Sequence, residues 1–460
     1  MLIGRAGRIA YGLGNFGKAF FYYSVGAYIV FFYVDVVGLD PNLMAVALSI
    51  PYGIWNAVND PLIGFISDRL RTRWGRRIPL IIVGAPLTLL FFWLLWSPGI
   101  IAAKSSTVLF YYLMFSLAFF DLFLTMLTTG YEALFPEMFE DLKERSEASL
   151  YRELFALLGV ITGFALFPYV RSIFSGFLDV LNAWSFSSLV LGGIGALTIF
   201  ISLLGCRERK EFYEIDKPLG LVEMVKLTLG NRTFLAFLGA DIVIFFLWSW
   251  VPAMIPFYTK YVLKGGEEAN ALILGVMLLS AIFWWPLLRK ITLKVGSKKM
   301  FILSTIIFVL SLQPLLLLND LNLILLAMVL VGCGNAGIQL VRSICLSDVI
   351  DEDELRTGVR REGAYIGTMI FFERLMYILL GVVSAYLFKA IGYTPDVPPT
   401  PSVEMGFRAS VSLIPLLALS AFLVFMKFYP IGAEEAERIT REKLKLHAEK
   451  AEKIKSKSEL

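Results

Sequence analysis

Polar and ionisable side chains recur at helical spacing inside stretches that are otherwise apolar. In the clearest stripe, Asp121, Thr125, Thr128 and Glu132 are spaced i, i+4, i+7 and i+11, which places them on one face of a helix. Carboxylate and hydroxyl oxygens arranged in this way could bind a cation or a hydroxylated solute. A charged side chain at the centre of a bilayer costs about 2.5–3.5 kcal/mol on the insertion scale, so ionisable residues at that depth usually mark a pathway. The stripe therefore predicts a polar, functional cavity within the membrane.

Other apolar stretches carry comparable polar positions. Asn and Thr side chains also form hydrogen bonds between membrane helices, so each of these positions taken singly fits either role. For Asp60, Asp121, Glu132 and Arg374 we favour a functional role, because ionisable residues at this depth usually mark a pathway. Lys18 and Arg152 are intermediate between the two roles. The further positions are Asn15, Lys18 and Tyr22, Tyr52, Asn56, Asn59 and Asp60, Arg152, Asp241, Asn335, Gln339 and Arg342, and Glu373 and Arg374.

The amino-acid composition indicates that these polar stripes belong to a membrane protein. Of the 460 residues, 57% are apolar or aromatic and 17% are charged, against roughly 45–50% and about 25% in soluble domains. The formal net charge of +4 is not gathered on one basic face, so nucleic acid is not an expected partner. The single histidine, His447, lies in a polar tail, which excludes HExxH zinc sites and Ser-His-Asp triads. Three cysteines without metal-ligand spacing predict neither a metal site nor a disulfide framework.

Twelve segments are long and apolar enough to cross a bilayer as helices, since a span needs about 20 residues. We therefore predict an all-α integral membrane protein. Segments 3, 6, 9 and 12 carry no charge through their centres, which is typical of outer helices that shield an inner set around a cavity. The predicted spans are 9–38, 42–67, 78–98, 107–136, 148–174, 184–205, 233–262, 269–288, 300–318, 322–349, 363–392 and 407–429.

Basic residues concentrate in the connectors after segments 2, 6 and 8, whereas the alternate connectors offer little beyond Lys104 and Lys264. By the positive-inside rule, we expect both termini to be cytoplasmic in a multi-pass protein of the cell membrane. The tail has Ile and Leu at helical spacing among Glu and Lys, and it predicts a solvated or membrane-surface helix without a transport role. The predicted units are an N-terminal six-helix bundle (1–205), a cytoplasmic linker (206–232), a C-terminal six-helix bundle (233–429) and a charged cytoplasmic tail (430–460).

The two halves resemble each other at equivalent connectors. The run Arg73-Trp-Gly-Arg-Arg77 is matched 221 residues later by Lys294-Val-Gly-Ser-Lys298. The segment from Glu137 to Ser146 is matched 211 residues later by the segment from Asp348 to Thr357. Two matches at nearly the same offset indicate a parallel repeat of six helices and two pseudo-symmetric bundles.

The connector after segment 2 reads Gly64-Phe-Ile-Ser-Asp68-Arg-Leu-Arg-Thr-Arg-Trp-Gly75-Arg-Arg77. This run resembles the loop signature of the major facilitator superfamily. The resemblance implies a charge-stabilised gate, in which Asp68 pairs with a neighbouring helix in one conformation and releases it in the other. The predicted gating residues are Gly64, Asp68, Arg69, Arg73, Gly75 and Arg76.

Further blocks are similar to the glycoside-pentoside-hexuronide:cation symporters, the melibiose permease family. They are Tyr11-Gly-Leu-Gly-Asn-Phe-Gly-Lys18, Asp35-Val-Val-Gly-Leu39, Trp55-Asn-Ala-Val-Asn-Asp-Pro61, Pro136-Glu137, Tyr151-Arg152, Tyr258-Thr-Lys-Tyr261 and Gly358-Val-Arg-Arg-Glu-Gly363. The blocks occur in both halves. The resemblance implies a secondary active transporter with the major facilitator fold. The same clan includes sodium-dependent lysophospholipid transporters.

The resemblance also implies a cation site formed by Asn56, Asn59, Asp60 and Thr125. Family members supply two carboxylates one turn apart on the second helix, whereas this chain has Asn56 and Asp60 at those positions. A single carboxylate with Asn and Thr oxygens should attract Na⁺ less strongly, although Asp60 could bind either Na⁺ or a proton. Coupling to Na⁺ and coupling to H⁺ both stay open, and no other cofactor is expected.

On the substrate side, Lys18, Arg152 and Arg374 match basic positions of the family's sugar site. The acids of melibiose-type members are replaced by Ala19 and Thr128, which argues against melibiose itself. Acids from new positions would suit a different sugar or glycoside. The predicted substrate-binding residues are Lys18, Asp121, Thr128, Glu132, Arg152, Glu373 and Arg374.

We therefore predict cation-coupled symport of a sugar or glycoside by a monomer that has no catalytic residues. The first alternative is a carrier of lysolipids or other amphiphiles, which would need a cavity that is apolar over one half. A remote alternative is a prenyltransferase-type membrane enzyme, because Asn59-Asp60 and Asp351-Glu-Asp-Glu354 are similar to acidic diphosphate-binding motifs. The spacing of those residues departs from such a motif.

Overall fold

Residues 4–99, 105–208, 221–265, 267–393 and 398–458 are described by a computed structural model, and they form sixteen α-helices. Eight helices belong to the first half of the chain. Short π-helical turns follow α1, α2 and α6, and a 3₁₀ turn follows α8. The bounds are α1 Arg5–Phe31, α2 Pro41–Ser49, α3 Asn56–Arg69, α4 Ile78–Leu95, α5 Ser106–Met138, α6 Leu142–Ile161, α7 Phe167–Phe174 and α8 Val180–Ser202.

The second half begins with a short helix that precedes the next apolar span. A charged helix at the C-terminal end follows the last span. The bounds are α9 Leu221–Gly230, α10 Arg232–Tyr261, α11 Glu267–Val295, α12 Ser297–Leu310, α13 Leu321–Thr357, α14 Glu362–Ile391, α15 Pro401–Phe428 and α16 Ala433–Ser458.

Eleven helical stretches of the described chain are long and apolar enough to cross a membrane, and eleven of the twelve predicted segments coincide with them. The one exception is segment 2, predicted at 42–67, which is divided into α2 and α3 by a π-helical turn at Ile50–Trp55. Pro51 lies in this turn, and a proline removes one helical hydrogen bond and distorts the preceding turn. The break explains why this segment does not form one continuous helix.

Helices pack closely where glycine replaces a larger side chain. A Cβ atom on Gly159 of α6 would lie 2.3 Å from the carbonyl oxygen of Phe16 on α1. In the second half, a Cβ on Gly334 of α13 would lie 2.3 Å from the backbone nitrogen of Phe308 on α12. Small residues at such crossings let membrane helices approach, because lipid supplies no hydrophobic force between them.

Each half has its own apolar core. In the first half, the rings of Trp96 and Trp184 stack at 5.2 Å within a buried cluster of aromatic and aliphatic side chains. In the second half, the rings of Tyr261 and Phe407 stack at 5.5 Å in a separate cluster. Of the linker predicted at 206–232, residues 209–220 lie outside the described part of the chain.

Candidate functional site

A cavity of about 1110 Å³ lies between the two halves. Its lining comes from α1, α5, α6, α10, α11, α13 and α14. Of the predicted outer spans, α4, α8 and α15 contribute no described lining residue, and α12 contributes only Phe308. Because ligand pockets typically measure about 300–1,000 Å³, the cavity has room for a substrate larger than one monosaccharide.

The first ionic group on this cavity is the basic cluster, formed by Lys18 of α1, Glu132 of α5 and Arg152 of α6. Lys18 and Arg152 both donate hydrogen bonds to the Glu132 carboxylate. With all three groups ionised, the basic cluster has a net charge of +1. Nε and Nη1 of Arg152 are buried and donate no hydrogen bond to the described residues. Arg152 lines the cavity, but these two nitrogens are themselves buried, so a solute would reach them only after the side chain moves.

The acidic cluster lies on the second half and consists of Asp241 of α10, Arg342 of α13 and Glu373 of α14. Arg342 donates from Nε and Nη2 to the two oxygens of Asp241, the second at 3.0 Å, and from Nη2 to Glu373. The guanidinium also lies 5.6 Å from the centre of the Trp248 ring. Two carboxylates on one arginine give the acidic cluster a net charge of −1.

The central cluster joins α3, α5 and α14. Asn59 Nδ2 donates to Asp121 Oδ2 at 3.2 Å, and Thr125 Oγ1 donates to Asp60 Oδ1 at 3.0 Å. Arg374 Nε lies 3.5 Å from Asp60 Oδ2, and Nη2 of the same side chain lies 3.8 Å from Asp121 Oδ1. Asn59 Oδ1 and Asp60 Oδ2 are buried and accept no hydrogen bond from the described residues.

This central cluster has the chemistry of a cation site. Its oxygens come from two carboxylates, an amide and a hydroxyl, which are the donors that hard cations prefer. Asp121, predicted as a substrate-binding residue, is the second carboxylate of this cluster. Thr128, on the same face of α5, lines the cavity. The side chain of Asn56, the remaining predicted cation ligand, lies outside the described part of the structure.

The halves are tethered at one end of the molecule, here called the tethered face. Asp68 at the end of α3 accepts hydrogen bonds from the backbone nitrogens of Gly363 and Ala364 at 3.1 and 2.8 Å. These nitrogens belong to the first turn of α14, whose helix dipole favours an anion. A Cβ on Gly64 would lie 2.5 Å from the carbonyl oxygen of Gly363, so α3 and α14 touch through their backbones.

Arginines of the first half reinforce this contact. Arg76 Nη2 lies 3.0 Å from Glu362, and Arg77 Nη2 lies 2.9 Å from the same carboxylate. Burial opposes the charge of Arg76, but the carboxylates of Glu362 and Glu137 raise its pKa above the ordinary value. Gly75 has φ of +106° and approaches the Glu208 carboxylate, where only glycine avoids strain.

A second set of tethers involves α6 and α13. Arg145 donates from Nη1 to Asp348 at 2.7 Å and from Nη2 to Asp351. Arg360 donates to the carbonyl oxygen of Pro136 across the halves at 2.7 Å. These bonds hold the two halves together at the tethered face.

Two other predicted gating residues lie at the surface. Arg69 and Arg73 are exposed, and their guanidinium groups lie 4.3 and 4.6 Å from the rings of Phe65 and Trp74. Arg77 forms the buried contact instead. The spacing of basic residues in a loop does not reveal which of them turns inward.

The C-terminal helix α16 packs against the tethered face, which differs from the predicted solvated or membrane-surface helix. Lys443 Nζ lies 2.9 Å from Asp351 and 3.0 Å from the carbonyl oxygen of Glu140. His447 contacts carboxylates of both halves, Glu140 and Glu354, at 3.1 Å each. Burial lowers the pKa of Lys443, although Asp351 opposes the shift. The acidic ends of α5 and α13 attract this basic helix.

The sequence analysis missed Glu153 of α6, which lines the cavity beside Arg152. Its helical neighbours on the cavity wall include Ala156, Leu157 and Val160, so its face has no polar stripe. The signal that could have found it is an acidic residue inside a predicted span.

Comparison with known proteins gives concordant matches. A profile of the family described as MFS/sugar transport protein matches residues 10–433. The chain is 24% identical to the glucuronide carrier protein homolog of Escherichia coli (strain K12) over 443 residues, covering 94% of each chain. It is 25% identical to the sodium-dependent lysophosphatidylcholine symporter 1 of Gallus gallus over 459 residues, covering 90% of this chain and 84% of the relative.

Among solved structures, the chain is similar to the E. coli fucose:proton symporter, FucP, with a TM-score of 0.63 and 14% sequence identity. The match covers 92% of this chain and 98% of the symporter. A second structure of FucP, in the outward conformation, matches with a TM-score of 0.62. At this level of identity, the likeness shows the fold alone.

Proposed function

Because the chain belongs to the MFS/sugar transport protein family, we propose that it is a cation-coupled symporter of a sugar or glycoside that works by alternating access. The family match and the structural neighbours confirm the predicted resemblance, the all-helical major facilitator fold and a multi-pass membrane protein. The chain is a transporter and not an enzyme, which excludes the prenyltransferase alternative. Its substrate is a small molecule.

The observation that carries the proposal is the position of the central cluster on the cavity wall. Asp121 and Thr125 belong both to the central cluster and to the cavity lining. A cation that binds Asp60 and Asp121 would displace Arg374 from them, since all three groups lie within ion-pair distance. Cation binding would thereby change the charge that a substrate meets, which is the requirement for coupling.

The basic cluster supports recognition of a hydroxylated substrate. Arg152 and Glu132 both line the cavity, and their guanidinium and carboxylate groups are of the two kinds, donor and acceptor, that bind sugar hydroxyls. The glucuronide carrier homolog is a relative at full length, and a glucuronide carboxylate would suit the excess positive charge of this cluster.

Alternating access requires the tethered face to open. Its contacts are ion pairs and backbone hydrogen bonds across α3 and α14 and across α6 and α13, which can be exchanged for water one at a time. By the positive-inside rule this face is cytoplasmic. The state described here would then be one in which the halves are joined on the cytoplasmic side.

An amphiphile carrier is the second candidate, and one observation favours it. The cavity wall contributed by α10 and α11 is largely apolar and includes Val251, Leu274, Met277 and Leu278. A relative of similar identity is named a sodium-dependent lysophosphatidylcholine symporter. Such a wall would accommodate an acyl chain or an apolar aglycone.

Counterflow in proteoliposomes tests both candidates. The purified protein would be loaded with unlabelled glucuronides, hexosides and pentosides and then offered the labelled compound. We expect exchange of at least one sugar or glycoside, and gradient-driven uptake that Asp60→Asn abolishes while counterflow persists. Exchange of labelled lysophosphatidylcholine, with no exchange of any sugar, would establish the second candidate. Gradient-driven uptake that is unchanged in Asp60→Asn would exclude the coupling role of Asp60.

A further inference from the structure

Glu153 differs from every other carboxylate around the cavity. Its side chain lines the cavity wall, yet it accepts no hydrogen bond and forms no ion pair with the residues that the structure describes. Each of the other carboxylates lies within ion-pair distance of a lysine or arginine. These paired carboxylates are Asp60, Asp121, Glu132, Asp241 and Glu373.

The surroundings of Glu153 do not supply a fixed counter-ion. Helix α6 packs against α1, α11 and α13, and the charged or titratable groups that act on Glu153 from other helices come from α1, α5 and α13. Lys18 and Arg152 are already bound to Glu132, Arg342 is bound to the acidic cluster, and α11 is uncharged between 269 and 288. The groups within electrostatic range are Lys18, Tyr23, Glu132, Arg152 and Arg342.

The charge balance of the whole cavity also indicates that Glu153 lacks a counter-ion. The basic cluster (+1) and the acidic cluster (−1) offset each other, whereas the central cluster and Glu153 each leave one negative charge. Glu153 is half-buried on the cavity wall, and a carboxylate that loses part of its hydration without gaining a partner is stabilised by taking up a proton. The central cluster can be neutralised by the coupling cation. Glu153 is outside that cluster and needs a cation of its own.

We propose that Glu153 is a proton-binding site of the cavity, separate from the cation site at Asp60. The carboxyl group takes up one proton on its own oxygen when the cavity is in the conformation seen here, and no other bond is made or broken. This inference deepens the proposed function, because it gives the transporter a route for coupling to H⁺ in addition to the cation site. Its first test requires no knowledge of the substrate.

Infrared difference spectroscopy of the full-length protein in detergent, recorded between acidic and alkaline pH, detects protonated carboxyl groups directly. We expect a carboxylic-acid C=O band that disappears as the pH rises in the wild type. The band should be absent in Glu153→Gln and present but shifted in frequency in Glu153→Asp. In the matched control Glu144→Gln, the band should persist, because Glu144 lies on the same helix, pairs with Arg8 in its own half and is not one of the groups that act on Glu153.

Two results would overturn the proposal: no titrating carboxyl band in the wild type, or the same band with the same titration in Glu153→Gln. The Glu153→Asp variant guards against misfolding, since it keeps the carboxyl group. Gel filtration of each variant confirms that the helices remain assembled.

A transport measurement then links the site to function and rests on the proposed symport activity. In sodium-free proteoliposomes, a pH gradient should drive uptake of the labelled glucuronide in the wild type. Glu153→Gln should lose this uptake but retain counterflow. A protein that exchanges no sugar would contradict the proposed function while leaving the infrared result intact. Unchanged pH-driven uptake in Glu153→Gln would contradict a coupling role for the proton site.

Discussion

The basic cluster and the acidic cluster are built with inverted charge. In the first half, one acid lies between two bases, whereas in the second half one base lies between two acids. The same polarity recurs at the tethered face, where Arg76, Arg77 and Arg145 of the first half meet carboxylates of the second half. The halves therefore attract each other electrostatically both inside the cavity and at the tethered face.

This inversion assigns a different importance to each member of a cluster. The single member, Glu132 or Arg342, neutralises two partners at once, and its removal leaves two like charges without a counter-ion. If one of the two like-charged residues of a cluster is removed, the remaining acid and base still form a neutral pair. Removing one partner of a buried ion pair is strongly destabilising because the other charge stays buried, so the clusters should respond very unequally to substitution.

The largest effect is expected for Arg342→Ala. Asp241 is fully buried and Glu373 nearly so, and neither has another lysine or arginine within ion-pair distance among the described residues. A cost of about 3–5 kcal/mol is typical when one partner of a buried pair is removed. We expect a clearly lower thermal unfolding midpoint in detergent, measured by fluorescence-detected gel filtration.

Arg356→Ala is the matched control for this prediction. Arg356 lies on the same helix and pairs with Asp353, but its side chain is 52% exposed, so the exposed pair should contribute at most about 1 kcal/mol. Equal midpoints for the two variants would show that the acidic cluster does not depend on its arginine.

Glu132→Gln should have the next largest effect. The substitution leaves Lys18 and Arg152 without the carboxylate that both contact, but the Glu132 side chain is 23% exposed to the cavity, and water can solvate part of the charge. We expect a loss of about 3 kcal/mol at most, at the lower limit for a buried pair, together with loss of sugar counterflow. Retained counterflow would remove the basic cluster from substrate recognition.

These expectations depend on contacts that the sequence could only partly predict. Periodicity identified the face of α5 on which Asp121 and Glu132 lie, because helical spacing is a local property. It could not show that Asp121 contacts Asn59 and joins the central cluster, since that contact depends on how α3 and α5 pack. The spans and the inner and outer helices followed from composition for the same local reason.

The positions of Glu153 and of the C-terminal tail could not be predicted from local sequence patterns. Glu153 directly follows Arg152, but the residues one turn further along the helix, Ala156 and Leu157, are apolar, so a search for polar stripes passes over it. Helix α16 has the composition of a solvated helix, and its position depends on the carboxylates of Glu140, just after α5, and Glu354 of α13. Contacts between distant segments decide both cases, and no local pattern encodes them.

At the tethered face, Arg145→Ala tests whether the polarity of the halves holds them together. Asp351 would still face Arg360 and Lys443, and Asp348 would keep its bond from Ser297, so the cost should be about 2 kcal/mol, near the value for hydrogen bonds to charged groups. Spin labels at the exposed positions Arg73 and Arg356 report the distance between the two halves. In Arg145→Ala, the population in which the two labels are far apart should be larger than in the wild type. Arg8→Ala, whose partners Glu144 and Glu147 lie in its own half, should leave the distances unchanged.

The smallest effect is expected for Glu373→Gln, and it provides the sharpest test of the inverted charge. The substitution removes one of two acids, and Arg342 keeps its two-point contact with Asp241 as a neutral pair. The change in stability should stay below about 1 kcal/mol, because no buried charge loses its partner. Glu132→Gln removes the same chemical group from the other half, so the two unfolding midpoints can be compared directly. A loss of stability as large as that of Glu132→Gln would mean that a cluster's response depends on burial alone and not on its balance of acids and bases.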